Sequence, residues 1–273
     1  MSTLVRALGD GAVVAKRNLI KIKRVPDLLV FSTLSPIMFV LLFAYIFGGA
    51  VDVGGSGQVD ARLYREFLIA GIFAQTVVFG ATITGMSIAE DLQKGVIDRF
   101  RSLPMSGSAV LVGRTAADVV NNVIAIVVMS LTGLVVGWRI RTSFLDAVVG
   151  FLVLLLFAYA ISWLMACVGL AVRTPEVVNN ASFIVIFPLT FCANTFVPLE
   201  SFPAPLRVFA EWNPVSSVTL AARERFGNVV AGAPASDAWP LQHPALYTVL
   251  WVAVILGIFV PVAVRMYHHA ASR

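Results

Sequence analysis

The sequence predicts an all-α integral membrane protein with six transmembrane helices. Three observations carry that prediction. Hydrophobic residues fill 59% of the 273 positions and charged residues only 13%, about half the charged share of an ordinary soluble domain, and mean hydropathy is +0.88. Uncharged runs occupy 28–51, 67–89, 119–138, 147–172, 177–199 and 244–264. Each reaches the roughly 20 residues that cross about 30 Å of hydrocarbon. Strong alternation of period two is absent, which argues against a β-barrel.

Residues 1–27 precede the first run. Arg6, Lys16, Arg17, Lys21, Lys23 and Arg24 stand there among Leu4, Val5, Leu8, Val13, Leu19, Ile20 and Ile22. Basic charge on such an apolar segment predicts an interfacial helix on the anionic cytoplasmic leaflet. A signal peptide fits badly, because the basic region and the apolar run after it are both too long. Pro36 and Pro188 fall inside runs, where neighbouring helices can satisfy the carbonyls that a kink releases. Gly54, Gly55, Ser56 and Gly57 mark a flexible first outer loop.

The basic residues set the orientation. With the amino terminus inside, the inner segments hold Arg6, Lys16, Arg17, Lys21, Lys23, Arg24, Lys94, Arg99, Arg101, Arg114, Arg173, Arg265 and Arg273. The outer segments hold Arg62, Arg65, Arg139, Arg141, Arg207, Arg223 and Arg225. The excess inside predicts that both termini, including the tail 265–273, are cytoplasmic. The net charge of +5 then reflects these flanks, and nothing calls for nucleic acid.

Between the second and third runs lies the most charge-dense stretch, 90–104. Leu92, Val96, Phe100 and Leu103 recur at helical spacing, with Lys94, Asp98, Arg99 and Arg101 mostly opposite. Pro104 cannot continue the helix. A short amphipathic helix at the water boundary follows, shaped to meet a soluble partner. Ser108 is read as the N-cap of the next helix.

Further on, Trp138, Arg139 and Arg141 are read as an outer interfacial anchor. The short inner loop around Arg173 makes the fourth and fifth spans neighbours. The segment 198–243 carries two pieces too short to span. Leu206, Phe209 and Trp212 share a three-residue spacing, and Pro214 opens a second piece that Gly227 ends. Both pieces are expected to cap the bundle as outer-leaflet or re-entrant helices.

The six runs contain no Asp, Glu, Lys or Arg. That counts against a proton antiporter or an ion channel, which commonly place ionisable groups at membrane depth. Cys167 and Cys192 have no CxxC spacing, and the three histidines form no ligand cluster with them. No catalytic or metal site is expected. The sequence has no G-x-x-x-x-G-K-[ST], and Lys16, Lys21, Lys23 and Lys94 do not follow a glycine. The chain cannot hold nucleotide phosphates in the P-loop manner.

With these features in place, the sequence resembles the type 2 permeases of ATP-binding-cassette transporters. That group's first cytoplasmic loop carries an acidic residue, a Gly, a second acidic residue and a Pro. Here they match Glu90, Gly95, Asp98 and Pro104, with Gly113 and Arg114 in place of a small–basic pair. The stretch 95–105 is most similar to the daunorubicin-resistance subgroup, and Asn213, Pro214 and Arg223 also fit. Asp98 replaces a commoner Glu. The match covers nearly the whole chain and is weakest at 1–15, 51–63 and 228–245.

The resemblance implies a permease domain over 28–264 in a bacterial plasma membrane. It implies two permease copies, identical or paralogous, clamped by two copies of an ATPase subunit. No cofactor belongs to this chain, because ATP and magnesium sit in that partner. Glu90, Gly95, Val96, Asp98, Arg99, Phe100, Leu103 and Pro104 would form the coupling helix. Val96, Phe100 and Leu103 would enter a groove of the ATPase, with Asp98 and Arg99 setting the register.

Polar and aromatic residues mark a candidate substrate path: Gln75, Thr76, Phe183, Phe187, Phe191 and Asn194. Hydrogen bonding between packed helices is the plainer account of the polar ones. Packing or lipid contact is the plainer account of the stripes Phe39–Phe43–Phe47 and Phe183–Phe187–Phe191. In the family, spans two and five face the dimer axis, which favours the second stripe. The predominance of Phe, 19 against 5 Trp and 5 Tyr, leans towards a lipophilic antibiotic, drug or complex lipid. A polysaccharide or glycolipid exporter of the same family is the alternative within transport. An ion-coupled carrier or a membrane scaffold acting without an ATPase is the alternative outside it.

Overall fold

The computed structural model describes residues 26–53, 59–96, 107–172, 174–230 and 236–270. Among them every regular element is helical. Helix α1 (Pro26–Leu42) contains Pro36 and runs into a π-helical turn at Phe43–Phe47. Helices α2 (Ala61–Gly80) and α3 (Thr82–Gln93) follow each other almost without a break, because Ala81 keeps right-handed helical angles. Then come α4 (Gly107–Val136), α5 (Phe144–Ala171) and α6 (Pro175–Phe191). A 3-10 turn at Leu199–Ser201 leads to α7 (Ala204–Glu211), α8 (Pro214–Phe226), α9 (Trp239–Gln242) and α10 (Pro244–Ala270).

Four helical stretches are long and apolar enough to cross a membrane: Ala61–Gln93, Val110–Val136, Phe144–Ala171 and Pro244–His269. Two shorter apolar helices, Leu34–Phe47 and Pro175–Phe191, fall on the first and fifth uncharged runs.

Side-chain caps explain several boundaries. Asp60 opens α2 by accepting from the amides of Arg62 at 2.8 Å and Leu63 at 3.4 Å. Ser143 caps α5 through Asp146 N, and Thr174 caps α6 through Val177 N with Pro175 in the first turn. Asn213 Oδ1 accepts from Val215 N at 2.9 Å, Pro214 follows, and Gly227 ends α8 at φ 70°. The expectation for Pro214 and Gly227 therefore holds. Helix α4 is described from Gly107 onward, and the expected capping by the Ser108 side chain lies outside what is described.

Helix α2 is the centre of the bundle. Every residue from Glu66 to Val78 is buried, so other elements surround the helix on all sides. Helix α5 packs against α10, α3, α8 and α4. Its crossing with α3 depends on two glycines. A Cβ at Gly169 would lie 2.3 Å from Gly85 O, and one at Gly85 would lie 2.7 Å from Met165 O. Small residues let membrane helices approach this closely.

Two expectations need correction. Of the two expectations for α8, an outer-leaflet cap or a re-entrant helix, the first does not fit, because α8 packs between α2, α5 and α10 with Phe226 fully buried. The Phe226 ring meets Phe73, Trp138 and Phe151, and Gly150 leaves room for it. Aromatic burial on three sides outweighs the short length of the helix. Trp138, read with Arg139 and Arg141 as an outer interfacial anchor, is buried, and its Nε1–H donates to Asn228 Oδ1 at 2.7 Å. Helix α7 does stay at the surface, with Leu206, Phe209 and Trp212 exposed.

Candidate functional site

Two regions carry the predicted functional residues. The first is the end of α3. Glu90 lies one turn before Lys94, and their side chains pair at 2.5 Å. The hydrogen bond to Glu90 and its charge hold the Lys94 ammonium pKa above its ordinary value. Lys94 is mostly exposed, so this pair adds little to stability. Gly95 then adopts φ 62°. In that left-handed conformation glycine alone pays no Cβ penalty, and the chain leaves the α3 axis there, so Leu92 and Val96 do not share one continuous helix as their spacing suggested. Val96 is half-buried. Asp98, Arg99, Phe100, Leu103 and Pro104 lie outside the described residues, as does the interfacial segment 1–25.

The second region is aromatic. The stripes of α1 and α6, separated by more than a hundred residues, meet through Phe196. Phe183 stacks on Phe187 at 5.0 Å, Phe187 on Phe191 at 4.1 Å, and Phe191 meets Phe196 at 5.0 Å. Phe196 stacks on Phe43 at 4.6 Å, and Phe43 stacks on both Phe39 and Phe47. The result is one aromatic ladder along two adjoining helices. Its α6 end is open, since Phe183 is 52% and Phe187 40% exposed. Such a surface offers planar faces and no charge.

The structure does not bring the polar candidates onto that surface. Gln75 and Thr76 are buried in α2, and Asn194 is buried beyond the end of α6. Asn194 and Thr195 instead belong to a junction organised by Arg223. The Arg223 Nε–H donates to Phe67 O at 2.9 Å, and Nη2 donates to Asn194 O at 2.7 Å and Thr195 O at 3.2 Å. The guanidinium lies 3.5 Å over the Phe67 ring. Close by, a Cβ at Gly71 would lie 2.2 Å from Thr195 O. Arg223 therefore ties α2, α8 and the segment after α6 together. It was counted among outer basic residues but is 2% exposed.

A third group corrects the reading that the spans are free of charge. Helix α4 starts well before the uncharged run at 119 and carries Arg114 and Asp118 into the interior. They are 8% and 1% exposed. The Thr84 hydroxyl of α3 donates to Asp118 Oδ2, and Arg114 Nη2 donates to Ser87 Oγ at 2.5 Å and Ile83 O at 3.5 Å. Arg114 Nη2 also lies 3.7 Å from Asp118 Oδ1. The signal was present in the sequence as an Arg and an Asp four residues apart, a spacing that places both on one helix face. At the opposite end of α2, buried Glu66 pairs with Arg141 through two contacts of 2.9 and 2.6 Å. Glu66 holds the exposed Arg141 guanidinium pKa above its ordinary value through that hydrogen bond and its charge.

The described residues thus form a multi-pass helical bundle with a central buried helix, an uncharged aromatic face on α6 and a charged end to α3. The chain belongs to the ABC-2 type transporter family, whose model matches residues 12–225. It is similar to the daunorubicin resistance ABC transporter permease protein DrrB1 of Streptomyces coeruleorubidus. Those two chains are 33% identical over 254 residues, 93% of this chain and 84% of that one. It is 27% identical over 227 residues to the doxorubicin resistance ABC transporter permease protein DrrB of Mycobacterium tuberculosis, covering 82% of this chain and 78% of the relative. It is also 23% identical over 205 residues to the putative transport permease ycf38 of Cyanophora paradoxa, covering 75% and 69%.

Proposed function

We propose that this chain is the membrane-spanning permease subunit of an ATP-driven exporter in a bacterial plasma membrane. Its cargo is a hydrophobic or amphipathic compound: an antibiotic, a drug or a complex lipid. The observation that supports this most is the 33% identity over 93% of the chain to a daunorubicin-resistance permease. The open aromatic ladder of α6 is a surface suited to such a cargo. Under this reading α1 with its π turn is the first span and α6 the fifth, which gives six. Both termini are cytoplasmic. ATP and magnesium are bound by a separate ATPase present in two copies. Two permease copies complete the exporter, and residues 90–104 carry the ATPase's movement to α3 and α4.

The test is co-expression with an ATPase encoded beside this chain, followed by purification and reconstitution in vesicles. ATP hydrolysis is then measured with daunorubicin, doxorubicin or a defined lipid added. The expected result is a stable complex whose hydrolysis rises with at least one lipophilic compound. Stimulation by glycolipid or polysaccharide alone would move the assignment to the other branch of the family. Absence of any ATPase partner, with transport following an ion gradient, would overturn it.

A further inference from the structure

We infer that Asp118 and Arg114 are positioning residues. They clasp α3 to α4, so that the two arms flanking the cytoplasmic loop move as one body. The inference rests on the coupling role proposed for residues 90–104, and it begins from how the arms pack. Helix α3 lies chiefly against α5 and α6, whereas α4 lies chiefly against α5, α2 and α1. Direct contact between α3 and α4 is sparse. Both arms rest on α5, but they touch each other so little that few direct contacts fix their register against one another when the loop is pushed.

What joins them is polar. The Thr84 hydroxyl donates to Asp118 Oδ2 across the gap, and Arg114 reaches back from α4 to Ser87 Oγ and Ile83 O on α3. One turn above, Gly80 lets Asn122 approach, since a Cβ at Gly80 would lie 2.7 Å from Asn122 Oδ1. Asn122 Nδ2 also donates to Asp118 O at 3.0 Å. The contacts that cross from α4 to α3 here, at Thr84, Ser87 and Ile83, are all hydrogen bonds. Thr84 stands about two and a half turns from the end of α3 at Gln93, about 14 Å along the axis. The clasp is therefore deep enough to be dry and near enough to feel the loop.

Energetics favour a functional reason for this arrangement. A carboxylate and a guanidinium withdrawn from water cost more than an apolar pair of the same shape, and such pairs are poor sources of stability. Asp118 Oδ1 and Arg114 Nε have no hydrogen-bond partner among the described residues. Apolar packing would have held two static helices together. A directional tie is suited to arms that must keep their register while they move.

The experiment replaces the clasp with a covalent one. The variant Thr84→Cys/Asp118→Cys, in a background with Cys167→Ala and Cys192→Ala, is co-expressed with the ATPase and purified as the complex. Hydrolysis is compared with that of the isolated ATPase, in reducing buffer and after mild oxidation with diamide. The expected result is normal co-purification in both states. When reduced, the complex hydrolyses ATP at the isolated subunit's rate, and when oxidised it recovers the wild-type complex's rate. Three results would each overturn the clasp: a wild-type rate in the reduced state, no recovery once the disulfide has formed, or failure of the two cysteines to join. If the wild-type complex does not assemble, or does not change the ATPase's rate, the coupling role itself fails, and the two failures are told apart.

Discussion

Replacing Arg223 with Met tests a cation that the bundle buries almost completely. The substitution keeps an unbranched apolar stem and removes the fork. It leaves Asn194 O and Thr195 O without the donors that now reach them at 2.7 and 3.2 Å. Both carbonyls lie past the end of α6 at Phe191. Two stranded acceptors cost about 1–3 kcal/mol each, and loss of the stack on Phe67 adds roughly 1–2 kcal/mol. Relief from burying a cation offsets several kcal/mol of this. A net loss of about 2–4 kcal/mol corresponds to a Tm lower by roughly 5–15 °C for a chain of this size. The assay is thermal unfolding of the detergent-purified protein, followed by intrinsic fluorescence. Arg223→Lys should recover less than half of the loss, because an ammonium cannot fork to two elements or lie flat on a ring. A Met variant melting within about 2 °C of wild type would refute the junction. A Lys variant equal to wild type would show that charge alone matters.

Other changes probe separate parts of the molecule. Gly169→Ala drives a methyl into Gly85 O, 2.3 Å away. It should cut the yield of folded protein, as size-exclusion chromatography would show, whereas Gly257→Ala, with nothing within 4 Å, should be silent. Phe187→Ala removes a rung of the aromatic ladder at a position 40% exposed. It should lower resistance to a transported drug several-fold at unchanged protein level, and a loss that only tracks protein level would make the ladder structural. Phe100→Ala should weaken co-purification of the ATPase while leaving Tm unchanged. Undiminished co-purification would remove that residue from the docking face. Glu66→Ala frees Arg141 from a bidentate pair in which Glu66 is 5% exposed and should lower Tm more than Arg225→Ala, whose pair with Asp146 is exposed on both sides.

The sequence by itself determined the membrane class, because uncharged runs of spanning length are a property of the chain and need no contacts to be seen. It determined the opening and closing of α8 as well, since Asn213, Pro214 and Gly227 act on backbone within a few residues. It did not show the break at Gly95, because the spacing of Leu92 and Val96 reads as one helix while the left-handed backbone of Gly95 turns the chain away from α3. Other matters waited for the tertiary structure because they depend on residues far apart in the chain. Phe43 and Phe187 belong to one ladder only because Phe196 brings the π turn after α1 against Phe191 at the end of α6. Arg223 read as an outer charge until α2 and the end of α6 supplied its carbonyls. Asp118 stood one residue outside an uncharged run, and only the start of α4 at Gly107 showed that it lies inside the bundle. A run of apolar residues marks where hydrocarbon begins along the chain. It does not mark which flanking charges the neighbouring helices will cover, because burial is a relation between helices.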